Sequence, residues 1–110
     1  MSTSSHWQEI CALDDLSPDS GVCALLDDKQ VAIFYLASGE LYAIGNHDPL
    51  GKANVMSRGL LAEVDGTLTV SSPLYRHHYC LSSGRCLQDE RVSIPTYPVR
   101  AVNGKVQLRP

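Results

Sequence analysis

His77, His78, Cys80 and Cys86 are of the types that bind transition metals or act as nucleophile and base. A structural zinc site favours short gaps of about two to four residues within each ligand pair, and Cys80 and Cys86 lie farther apart than that. Successive side chains of an extended segment point to opposite faces. If Tyr79 and Leu81 face the core, His78 and Cys80 face away from it, as an exposed polar pair. Cys80 with His77 or His78 is also a nucleophile–base pair by type. Such a pair needs a lowered thiol pKa and a third, orienting group, and neither is legible here. The acid pairs Asp14–Asp15, Asp27–Asp28 and Asp89–Glu90 fall in polar turns, where solvated carboxylates are the ordinary filling. No G-x-G-x-x-G and no G-x-x-x-x-G-K-[ST] is present. The expectation is a chain with no catalytic, cofactor-binding or metal site of its own.

The elements that position these residues read as strands. Gly21 to Leu26 is a short apolar run, and Gln30 to Leu36 is rich in β-branched and aromatic residues. A turn at Ala37–Ser38–Gly39–Glu40 leads to Leu41–Tyr42–Ala43–Ile44, which predicts a hairpin. Asp65–Gly66 and Asn103–Gly104 each separate two alternating segments, and both dipeptides accept the positive φ angles of a type I′ turn. Leu68 and Val70 alternate with Thr67 and Thr69, and Val106 and Leu108 with Lys105 and Gln107. One helical turn before Ser17 is the most the helix signals allow. Two stretches fit neither pattern: Asn46 to Gly59 and Ser71 to His78. They are expected to be long, structured loops, the usual place for function in an all-β domain.

A chain of 110 residues is one domain, 1–110, with an apolar fraction of 44% that supports a core without staples. The net charge of −3 and the scattering of its nine Lys and Arg residues give no basis for nucleic-acid or anionic-membrane binding. No apolar stretch approaches the roughly 20 residues of a membrane span. The first ten residues carry no secretory pattern. A cytoplasmic protein is expected, and with it four reduced cysteines: Cys11, Cys23, Cys80 and Cys86.

Read as a whole, Leu41 to Leu87 resembles a Rieske iron–sulfur domain. In that family a strand leads to a C-x-H box, and a loop and hairpin lead to a C-P-x-H box, an aromatic-containing strand and a Gly-centred turn. Here Leu41–Tyr42–Ala43–Ile44 matches the leading strand, and Ser72–Pro73–Leu74–Tyr75 the second box with its proline kept. Tyr79 and Leu81 match the following strand, and Ser83–Gly84 the turn. Thr96 to Arg100 and the Asn103–Gly104 hairpin match the closing strands. The resemblance implies an antiparallel Rieske-like β-sandwich or barrel with hairpins and two long loops. Its ligand positions fall on Asp48, Leu50, Ser72 and Tyr75. A Rieske centre takes two thiolates and two imidazoles, and none of the four is either.

That combination resembles the small subunit of NADH-dependent nitrite reductase. The matching stretches are Trp7 to Cys11, Gly21 to Leu26, Asn46 to Pro49, Ser57 to Leu60 and Ser72 to Leu74. The resemblance implies a cytoplasmic, cofactor-free accessory subunit of an enzyme that reduces nitrite to ammonia in nitrate assimilation or nitrite detoxification. It places FAD, siroheme and an iron–sulfur cluster in a large catalytic subunit, the expected partner. Leu50, Arg58, Tyr75 and Arg76 are the candidate interface, since Tyr and Arg are favoured at interface centres. The other reading of Leu50 and Tyr75 is as core filling. Two further readings stay open: a Rieske-like ferredoxin with unusual ligands, and a non-enzymatic binding or regulatory module on the same frame.

Overall fold

The computed structural model describes residues 6–74 and 77–110. Its eleven strands among those residues are β1 (Gln8–Ala12), β2 (Ser20–Leu26), β3 (Lys29–Tyr35), β4 (Leu41–Gly45), β5 (His47–Asp48), β6 (Ala53–Asn54), β7 (Leu60–Val64), β8 (Thr67–Ser71), β9 (His78–Cys80), β10 (Val99–Val102) and β11 (Lys105–Leu108). They form three three-stranded antiparallel sheets, β1-β11-β10, β2-β3-β4 and β7-β8-β9, and a small β5-β6 ladder. The all-β reading holds.

Turn chemistry explains the tight hairpins. Asp65 and Gly66 have φ of 51° and 82°, and Asn103 and Gly104 of 52° and 76°. These are the left-handed angles whose twist matches the flanking strands. A third hairpin, β2–β3, closes on Asp27 and Asp28 at φ of 50° and 69°. Aspartate tolerates that region better than most residues do, so this acid pair serves the backbone.

β3 lies between two apolar layers, which is why its sequence is a nearly unbroken apolar run. Val31 and Ile33 pack with Leu16, Leu26, Ala43, Val106 and Leu108. Ala32 and Phe34 point the other way, towards Ile44, Met56, Val70, Tyr79 and Leu81. The second layer carries the two loops of interest.

Two expectations need correction. Thr69 is buried rather than outward-facing, and its hydroxyl donates to the Ala62 carbonyl oxygen at 2.9 Å. The hydrogen bond is what permits a hydroxyl on that face. The stretch 46–59 is structured as expected but is not one continuous loop: it contains β5, β6 and a 3-10 turn at Met56–Arg58. Met56 is fully buried and draws that turn into the core. Gly59 closes the segment where a Cβ would stand 2.5 Å from the Ser71 carbonyl oxygen and 2.6 Å from Val70 Cγ2.

Candidate functional site

Asp48 ends β5 with its side chain fully buried. An isolated carboxylate in such surroundings costs several kcal/mol unless donors surround it. Here they do. Ser72 Oγ donates to Oδ2 at 2.5 Å and Tyr79 Oη to Oδ1 at 2.9 Å. The Leu50 N–H reaches Oδ1 at 3.0 Å as an Asx turn, and the Gly51 N–H also bonds the carboxylate. Burial alone would raise the Asp48 pKa, but the bonds from Ser72, Gly51, Tyr79 and Leu50 outweigh it and hold the carboxyl below its usual range. Tyr79 is pushed the other way, by burial and then by Asp48, so its hydroxyl stays protonated and donates.

Both boxes therefore converge on one carboxylate. Ser72 also accepts the Leu74 N–H at 3.2 Å, and its own N–H bonds the His77 carbonyl oxygen at 3.1 Å. A second buried polar group pins the far end of the first box. Asn46 Oδ1 accepts the Ser57 N–H at 2.7 Å, and its amide donates to Gln30 Oε1 at 2.9 Å and Cys23 Sγ at 3.5 Å. Neither Asn46 nor Tyr79 was recognised as an anchor from sequence. Nothing in a lone Asn or Tyr marks it as one before its distant partners are known.

The donor set does not fit the cluster that the Rieske resemblance implies. Asp48 and Ser72 are hydrogen-bonded to each other, with no room for an iron between their oxygens. Leu50 offers no lone pair; it is half-buried and packs against the inner apolar cluster. Tyr75 and Arg76 lie outside the described residues. No group of three or more His, Cys, Asp or Glu that could hold a metal occurs among the described residues. His77, His78, Cys80 and Cys86 are thus not gathered into a metal site. Cys86 is buried, with Sγ 3.8 Å from Gln88 Oε1.

Cys80 behaves differently. Burial would raise its pKa, but side-chain and backbone bonds from Ser82 and Ser83 lower it to about 7. Sγ lies 3.2 Å from Ser82 Oγ. Serines, not a histidine, make this thiol acidic, so the Cys–His nucleophile reading gains no support from it.

Beside Ser72 a groove of about 550 Å³ is lined by Arg58, Leu60, Ser71, Pro73 and His78. Leu60 is 73% exposed on its rim. Of the candidate interface residues, Arg58 is exposed here, and Leu50 packs inward.

Residues 6–109 match the Rieske-like [2Fe-2S] domain family. The chain is 49% identical to the nitrite reductase (NADH) small subunit of Escherichia coli K12, covering 96% of this chain and 98% of that one. It is also 39% identical over 103 residues to the nitrite reductase [NAD(P)H] large subunit of Klebsiella oxytoca, covering 94% of this chain and 11% of that protein. Among solved structures it is similar to the Escherichia coli protein NirD, with a TM-score of 0.88 and 48% identity over 96% of each chain. The ferredoxin of carbazole 1,9a-dioxygenase from Nocardioides aromaticivorans shares the fold alone, at a TM-score of 0.82 and 19% identity. With a Rieske-like frame whose ligand positions Asp48 and Ser72 are joined by a buried hydrogen bond, and matched end to end by these relatives, the chain belongs to the family of NADH nitrite reductase small subunits.

Proposed function

We propose that this chain is the small, cofactor-free subunit of an NADH-dependent nitrite reductase, and that it binds and orders the large subunit that reduces nitrite to ammonia. The observation that carries this is the buried Asp48–Ser72–Tyr79 network, which ties together the segments bearing Asp48 and Ser72. A surface preformed in this way loses little conformational entropy when it docks. The Klebsiella oxytoca relationship supports the partner: a stretch resembling this chain lies within a protein named as a large subunit. FAD, siroheme and the iron–sulfur cluster then belong to the large chain, and electron flow from NADH to nitrite runs there.

No helix among the described residues is long and apolar enough to cross a membrane. On this reading the complex works in the cytoplasm. The test is reconstitution. The purified small chain should be colourless, and adding it should raise NADH-dependent nitrite reduction by the large subunit or slow its thermal inactivation. Stoichiometric iron and acid-labile sulfide in the small chain, or no effect on the large subunit, would refute the proposal.

A further inference from the structure

The groove beside Ser72 combines features that each call for a partner. Leu60 is 73% exposed, and Leu74, two residues beyond Ser72, is 49% exposed. His78 also lines the groove wall. Arg58 makes no ion pair among the described residues. No carboxylate is among the described residues that line the groove, although the chain carries a net charge of −3. Asp48, which lies behind Ser72, already accepts four donors. The groove is an apolar socket flanked by a guanidinium and an imidazole, and its complement is an apolar side chain next to a carboxylate.

We infer that this groove receives an acidic segment of the reductase large subunit, with Leu60 packed on its apolar anchor and Arg58 holding the carboxylate. The inference rests on the small-subunit reading above and adds where the contact is made and with what chemistry. A fused domain docks at high effective concentration and needs little affinity. A separate chain needs a central anchor of its own, and a pocket with an Arg beside it is the usual form of one. The groove is the centre of the interface; the full contact extends over roughly 800 Å² per partner.

Calorimetric titration of the purified large subunit tests this at low and high salt. Leu60→Asp and Arg58→Glu should each weaken binding about thirtyfold or more, the size of a hot-spot loss. Arg58→Gln should flatten the salt dependence. Leu25→Asp is the control: Leu25 is 65% exposed but lines a different recess between β1 and β2, and should bind within about twofold of wild type. Circular dichroism melts confirm folding of each variant, which the exposure of the substituted side chains favours. Leu60→Asp and Arg58→Glu binding as wild type would overturn the inference while leaving the small-subunit reading intact. Weakening by Leu25→Asp alone would do the same and move the interface to the other face. A wild-type chain that fails to bind would refute both.

Discussion

Asp48→Asn replaces the buried carboxylate by an amide of nearly the same shape. Four donors now converge on the carboxylate oxygens, from Ser72, Tyr79, Leu50 and Gly51. A hydrogen bond to a charged group contributes about 1.5–3 kcal/mol net and a neutral one about 1 kcal/mol. Asparagine keeps one acceptor oxygen, enough for Tyr79 and Leu50 on the Oδ1 side. On the other side its NH₂ meets Ser72 Oγ, which must turn from donor to acceptor while it still accepts the Leu74 N–H. Part of this loss is offset because no charge remains buried. The expected net cost is about 2–3 kcal/mol at neutral pH, which lowers the melting temperature by about 10 °C in a domain of this size. Acid titration separates the charge from the shape. The folded carboxyl sits below its unfolded value, so its stabilisation is complete above about pH 4 and is lost as pH falls through the folded value. Urea unfolding of wild type and variant should therefore show a gap at pH 7 that narrows at about pH 3. A variant within about 0.5 kcal/mol of wild type at pH 7, or a gap unchanged in acid, would refute the account.

Gly59→Ala should cost about 1–3 kcal/mol in urea unfolding, because its Cβ has to displace the Ser71 carbonyl and the Val70 methyl. Iodoacetamide should modify Cys80 with a pH midpoint near 7, and Ser82→Ala should raise that midpoint; an ordinary thiol midpoint in wild type would show that the serines have no such effect. Trp7 is the sole tryptophan and lies beneath Arg100 and Arg109, whose guanidinium carbons are 4.1 Å and 4.8 Å from its ring centroid. Arg100→Ala should shift its fluorescence and cost about 0.5–1 kcal/mol, and an unchanged spectrum would count against the stacking.

The strands and hairpins were legible because their signals are local. Asp65–Gly66 and Asn103–Gly104 announce their turns in adjacent residues, and β3 shows its two-sided burial as a run of apolar side chains. The 46–59 segment was only half legible. Its backbone follows the buried Met56 and the Asn46 amide, and neither leaves a periodic pattern. Thr69 misled the alternation reading because a hydroxyl that donates to a nearby carbonyl, here that of Ala62, can occupy an inner position.

For the site, the residue types alone were enough to show that Asp48, Leu50 and Ser72 cannot supply the thiolates and imidazoles of a Rieske centre, since ligand chemistry belongs to each side chain. What those residues do instead was decided by the tertiary structure. Asp48 meets Ser72 and Tyr79 across 24 and 31 residues of chain. Contacts at such separations depend on how the sheets pack, and no spacing within a local segment encodes them. The same holds for Leu60: its apolar character is plain in the strand, but only the packed fold leaves it facing water at the edge of the groove beside Arg58.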